Sequence, residues 1–190
     1  MNTVQPIRDI NLVYDIADYL KQSSERNYVM FMFGIYSGLR ISDILKLRVR
    51  DIRDIRNKSL IKDYISTREI KTDKEKRFAI NSELKPILRE YIKDKEDFLF
   101  LFKSSHGNNK PISRQQAYNI LSNAGKYFGL DDIGTHTLRK TWGYHTYQQT
   151  KDPVTIMKIL NHSDIAITLR YIGITQDNKD EVMRKLTFKR

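Results

Sequence analysis

The sequence predicts an α+β fold, mainly α, with a small antiparallel three-stranded sheet at one edge. Three observations carry this. Apolar residues recur at helical spacing over both ends of the chain. Between Asp51 and Asn81 the pattern changes to short β-prone segments. The hydrophobic share of 39%, with Trp142, eight Phe and eleven Tyr among 190 residues, is enough for one packed domain.

Residues 1–8 read as a loose lead-in to a helix over Asp9–Leu20, whose apolar side is Ile10, Val13, Ile16, Ala17 and Leu20. Ser23-Ser24 breaks it, and Ser24 is the expected N-cap of the next helix, with Glu25 in its first turn. Glu25–Tyr36 is apolar nearly all round, as a central core helix should be, and Gly38 ends it. Arg40 therefore falls in the turn into a short helix near Ser42–Leu47, a fixed position for a charged side chain.

Leu60–Ile65, Thr67–Ile70 and Lys76–Ile80 are the expected strands, with Asp73 and its charged neighbours in a hairpin turn. Ser82 is expected to cap a helix from Glu83 to Lys93. Phe98–Phe102 is a short apolar piece, and Ser104–Pro111 the clearest loop. Ser113 opens a helix that Gly129 ends after Phe128. Thr135 or Thr137 is the expected cap of the helix bearing Arg139. Asp152-Pro153 starts another, as an N-cap followed by proline at the first position. That helix ends near Asn161-His162. A short helix then holds Ile165, Ile167, Leu169 and Tyr171, and the tail from Gln176 to Leu186 is helical in pattern.

The formal net charge of +11 points to a polyanionic partner, either nucleic acid or an anionic membrane face. The longest apolar run, Tyr28–Tyr36, is far short of the roughly 20 residues that span a bilayer. With no cysteine there are no disulfides or thiolate metal sites, which fits a cytoplasmic protein. The histidines do not follow a zincin spacing and no carboxylate pairs with them, so no metal or other cofactor is expected.

What remains is a set of chemical side chains. Arg40 and Arg139 could grip the non-bridging oxygens of a phosphodiester with paired, charge-assisted hydrogen bonds. Fixed donors aimed at developing charge are usually the largest catalytic term. The phenol of Tyr171 could attack phosphorus once deprotonated, its free pKa being about 10. A lysine beside two arginines has reason to titrate low and to protonate a leaving oxygen. Asp43, near a helix start, reads as structural, and His106 and His145 as ordinary polar residues.

Five stretches give this set a family likeness. Ser37–Leu47, Ile70–Ile80, His136–Thr141, Leu160–Asp164 and Leu169–Tyr171 resemble, in order, the motifs of the tyrosine recombinases, or phage integrases. Tyr171 follows His162 at the family's spacing of nine positions. The resemblance runs from Ser24 to Gly173. It implies the fold of a recombinase catalytic domain, here over residues 1–190, without the family's N-terminal core-binding domain. It also implies that Arg40 and Arg139 clamp the phosphate and that Lys71, on the hairpin, is the general acid, with Lys74 and Lys76 as neighbouring candidates. His136 would assist proton transfer at the tyrosine, His162 would bond a non-bridging oxygen, and Tyr171 would form a 3′-phosphotyrosyl bond.

The implied activity is site-specific strand exchange for integration, excision or inversion, independent of metal and ATP. The implied partner is double-stranded DNA, bound as a homo-oligomer, a tetramer, with room for accessory DNA-bending proteins. Type IB topoisomerase-like nicking and closing, or non-catalytic DNA binding, are the alternative readings. Asn161 stands where the family usually has glycine, and asparagine tolerates a positive φ. The tail could pack on a neighbouring protomer or on its own domain.

Overall fold

The computed structural model describes residues 4–68 and 75–185. In chain order the elements are α1 (Ile10–Ser23), α2 (Glu25–Ser37), α3 (Ile41–Ile44), α4 (Val49–Ile52), β1 (Tyr64–Arg68), β2 (Glu75–Ala79), α5 (Leu84–Ile92), α6 (Arg114–Tyr127), α7 (Thr135–Thr150), α8 (Pro153–Leu160), α9 (Ile165–Tyr171) and α10 (Ile174–Lys185). The molecule is mainly helical, as the periodicity predicts.

α2 is the centre. Val29 to Gly34 are all buried, and the helix packs on α1, α5 and α7. Its approach to α7 is unusually close because Gly34 has no side chain; a Cβ there would lie 2.4 Å from Leu138 Cδ1. α7 approaches the α9–α10 junction in the same way, with Gly143 facing Ile172. One core cluster is built on α1, α2, α5 and α6; a second joins Ile156, Leu160, Ile172 and Ile174 with Trp142 and Tyr171 packed against it. α7 runs between the two.

Helix starts with a side-chain acceptor follow the sequence closely. Ser113 Oγ accepts from the Gln116 N–H at 3.0 Å. Asp152 accepts from the N–H groups of Val154 and Thr155, each at 3.0 Å. Other starts differ from expectation. Gly134, not Thr135 or Thr137, is the N-cap of α7, and its own N–H donates to Thr137 Oγ1 at 3.1 Å. Glu83, not Ser82, is the N-cap of α5 and makes no side-chain capping bond; in the turn before it Asn81 Oδ1 accepts from the Glu83 N–H at 2.8 Å.

The expected three-stranded sheet is, among the described residues, a two-stranded antiparallel hairpin, with Tyr64 opposite Ala79 and Ile65 opposite Phe78. As far as Arg68, the expected strands Leu60–Ile65 and Thr67–Ile70 are not separate. The backbone runs on through Ser66 in a single strand, β1. Ile61 is drawn off into an isolated bridge with Arg53. The hairpin turn, with Lys71, lies outside the described residues.

The lead-in is also not loose where it is described. The Ile7 N–H donates to Thr141 Oγ1 at 2.9 Å and Ile7 C=O accepts from His145 Nε2 at 2.9 Å. Val4 C=O accepts from Lys140 Nζ at 2.7 Å. Arg8 pairs with Asp177 on α10 at 2.8 Å. Residues 4–8 thus strap α7 to the start of the tail. The first turn of α10 is docked on its own chain through that ion pair and the buried Ile174, whereas Met183 further along is 74% exposed. No helix among the described residues is long and apolar enough to cross a membrane.

Gly34→Ala should overpack the α2–α7 crossing and cost about 1–3 kcal/mol, read as a lower urea midpoint at unchanged slope. A midpoint equal to that of the unaltered chain would show that the crossing can relax.

Candidate active site

The site forms where two helices end against the side of α7. α2 stops at Gly38, in the left-handed conformation at φ 63°. α8 stops at Asn161, also left-handed at φ 54°. The last carbonyls of a helix lack intrahelical donors and carry the negative end of its dipole. Arg139, on the second turn of α7, meets both ends. Its Nη1 donates to Gly38 C=O at 2.6 Å and its Nη2 to Leu160 C=O at 2.7 Å. The side chain is almost wholly enclosed, the residue being 5% exposed.

This pairing positions its neighbours. Two residues beyond Gly38 comes Arg40, exposed, at the N-cap of α3. Two residues beyond Leu160 comes His162, half-buried in the turn into α9. Gly38 suits its place for two reasons. Its φ is positive, and a Cβ would lie 2.5 Å from the Trp142 ring.

Tyr171, at the last turn of α9, lies edge-to-face with His162, the ring centroids 5.0 Å apart. Lys140 Nζ lies over its ring, 5.0 Å from the centroid. Burial raises the Tyr171 phenol above its ordinary pKa, while the charges of Arg139 and Arg40 and a hydrogen bond from Arg139 pull it down. Burial lowers the Arg139 guanidinium, and Tyr171 partly offsets this.

His136, on the first turn of α7, and His162 are both pulled below the ordinary histidine pKa. Partial desolvation is the first cause for each, followed by the positive charges of Arg139 and Arg40; Lys140 and Arg114 add to the effect at His136. The charge of Arg40 is therefore felt at His136, Arg139, His162 and Tyr171 alike. Five of the six side chains singled out in the sequence share one positively charged pocket. The sixth, Lys71, lies outside the described residues.

Two further side chains belong to the pocket. Lys140, in the sequence no more than a neighbour of Arg139 on a basic face, is 6% exposed; desolvation and Arg8 lower its ammonium pKa. The signal was the lack of an apolar stripe on α7, where Leu138, Arg139, Lys140 and Thr141 are buried in succession. Thr168, fully buried, contacts His162 Nδ1 at 3.1 Å; a lone threonine in a short helix gives no such signal. Among the described residues no group of His, Cys, Asp or Glu could hold a metal ion. The guanidiniums are suited to an anion, and the phenol beside them to attack on it.

The model of the phage integrase family matches residues 7–178. The probable integrase/recombinase YoeC of Bacillus subtilis is 48% identical over 177 residues, which cover 93% of each chain. The tyrosine recombinase XerD of Listeria innocua is 24% identical over 188 residues, covering 93% of this chain and 60% of XerD. The crystal structure of XerA recombinase superposes with a TM-score of 0.70 at 18% identity, over 97% of this chain and 65% of that one. That of XerH site-specific recombinase bound to its palindromic difH substrate gives 0.69 at 16% identity, over 97% and 54%. The chain thus spans nearly all of YoeC but under two thirds of XerD, XerA and XerH.

His136 and His162 should titrate below about 6.5, and Arg40→Ala should raise both values, as followed by ring-proton NMR shifts. Because the unfolded chain then binds more protons, these two histidines should weaken the fold as pH falls through the unfolded value. Unchanged titration in Arg40→Ala would place its guanidinium elsewhere.

Proposed function

The chain belongs to the phage integrase family, and on that footing we propose that it is a site-specific recombinase that breaks and rejoins double-stranded DNA through a covalent 3′-phosphotyrosyl intermediate. One observation carries the reading: the buried Tyr171 ring packs on His162, the centroids 5.0 Å apart, where the charges of Arg139 and Arg40 both act on its phenol.

The steps follow from the chemistry. The scissile phosphodiester enters against Arg40 and Arg139. Arg139 has five N–H donors, and its two carbonyl bonds fix the plane of the guanidinium while leaving others for phosphate oxygens. Charge that grows on those oxygens meets donors already in place, so little reorganisation is needed. The Tyr171 oxygen attacks phosphorus and loses its proton, with His136, by resemblance, as the acceptor. The bond to the 5′ oxygen breaks, and a lysine of the hairpin, Lys71 by resemblance, supplies that oxygen's proton. A 5′ hydroxyl from a partner strand then reverses these steps. Bond energy is kept in the phosphotyrosine, so neither ATP nor a metal ion is called for.

Several features support this reading. The net charge of +11 suits binding to phosphate backbones. A relative named integrase/recombinase matches 93% of the chain at 48% identity, and XerH was solved bound to difH substrate. Exchange between two duplexes requires several active sites. The proposal therefore includes assembly on DNA as a tetramer, in which the exposed far end of α10 is free to reach a neighbour.

On a nicked DNA site that traps the covalent stage, the unaltered chain should give a protein–DNA adduct stable to denaturant. Tyr171→Phe should give none while still binding the site. An adduct from Tyr171→Phe, or none from the unaltered chain on any flanking repeat of its own locus, would overturn the proposal.

A further inference from the structure

The turn from α8 into α9 contains a hydrogen-bond relay that the proposed reaction does not yet use. Thr168 is fully buried on α9. Its Oγ1 donates to the carbonyl of Asp164 at 3.1 Å, the helix bond available to a threonine one turn on. The same oxygen lies 3.1 Å from His162 Nδ1.

The proton count is decisive. A threonine hydroxyl has one hydrogen, and a carbonyl oxygen can only accept. The hydrogen that goes to Asp164 C=O cannot also go to His162. With its hydrogen given to Asp164 C=O, Oγ1 accepts from His162, which places a hydrogen on Nδ1. In a neutral imidazole the other nitrogen, Nε2, is then a bare acceptor.

We propose that Thr168 is a positioning residue that fixes His162 in the Nδ1–H form, so that His162 can donate from Nε2 to a phosphodiester oxygen only as the imidazolium. The role toward phosphate rests on the strand-cleavage reading above; the tautomer does not.

Among the described residues the charged and titratable groups around the ring are few. Arg139 reaches it from α7, Arg40 from the turn before α3, and Tyr171 from α9. The Asp164 carboxylate is taken up by the N–H groups of Ala166 and Ile167, at 2.6 and 3.3 Å. Partial burial and the two guanidiniums disfavour the imidazolium. A phosphodiester between those guanidiniums brings a negative charge that favours the imidazolium. DNA binding and proton uptake at His162 are thus linked. Cleavage then falls as pH rises through the His162 pKa of the DNA complex.

The test uses the full chain and two substitutions. Thr168→Ser keeps the hydroxyl; Thr168→Val keeps the shape and loses it. Long-range nitrogen–proton NMR of the neutral His162 ring should show hydrogen on Nδ1 in the unaltered chain and in Thr168→Ser, but on Nε2 in a substantial fraction of Thr168→Val. In single-turnover cleavage of the nicked site, the unaltered chain and Thr168→Ser should lose activity on the alkaline side. Thr168→Val should be slower by about tenfold at its optimum, the cost of one buried hydrogen bond. It should also lack that alkaline fall, since a neutral ring with hydrogen on Nε2 can still donate.

A purely structural role would lower the rate at every pH and leave the profile's shape alone. Hydrogen on Nε2 in the unaltered chain, or an unchanged profile in Thr168→Val, would overturn the inference. If no variant cleaves DNA, the strand-cleavage reading fails, while the NMR result still decides the tautomer.

Discussion

One buried guanidinium joins the ends of two helices. Arg139 fills the donor deficit at the C-termini of α2 and α8 by giving one N–H to Gly38 C=O and another to Leu160 C=O. A cation suits both ends, because each carries the negative pole of its helix. Without this pairing, the carbonyls and the charge would each pay the desolvation cost of burial unpaired, on the order of 1–3 kcal/mol for each polar group and more for the charge. The left-handed residues at Gly38 and Asn161 turn the chain so that Arg40 and His162 follow directly. The same bonds that stabilise the fold therefore set the distance between a second guanidinium and a histidine.

α7 can serve as this scaffold because two glycines let it sit unusually deep. Gly34 of α2 accepts Leu138, and Gly143 of α7 accepts Ile172 from the α9–α10 junction. Such contacts leave little room for the helix to slide, so Arg139 is held by packing as well as by hydrogen bonds. The strap of residues 4–8 closes the other side, reaching Lys140, Thr141 and His145 on α7 and Asp177 on α10. Tyr171 lies between these supports. Burial keeps its phenol protonated while two positive charges favour the phenolate. In the proposed reaction that balance shifts when the proton leaves for a neighbouring base as the phosphate is engaged.

Much of this is legible in the sequence where the cause is local. Ser113 and Asp152-Pro153 announce their helices because the capping oxygen is adjacent in the chain. Asn161 announces a left-handed turn because asparagine tolerates one. The apolar run of α2 announces a central helix. Signals fail where the partner is distant. Nothing near Ile7 tells that its N–H will find Thr141, so the lead-in reads as loose. Nothing in Leu60–Ile70 tells that Ile61 will pair with Arg53 and leave a single strand. The pocket divides in the same way. Arg40, His136, Arg139, His162 and Tyr171 stand out as chemical side chains in family order. The carbonyls of Gly38 and Leu160 have no residue-type signature, and Thr168 earns its place only through a bond across the turn. Lys140 looks like surface because charge usually is; its burial follows from the enclosure of α7 over Thr137–Thr141.

The central claim is that a planar, two-ended cation at position 139 organises the pocket, beyond supplying charge. The direct measurement is covalent adduct formation on a nicked DNA site by Arg139→Lys, which keeps the charge but donates from one nitrogen and lacks the planar fork that spans both carbonyls. With two carbonyls to satisfy and one ammonium to do it, the account predicts a folded protein that still binds DNA and forms almost no adduct. Adduct formation by Arg139→Lys at the rate of the unaltered chain would show that charge alone suffices, and would contradict it.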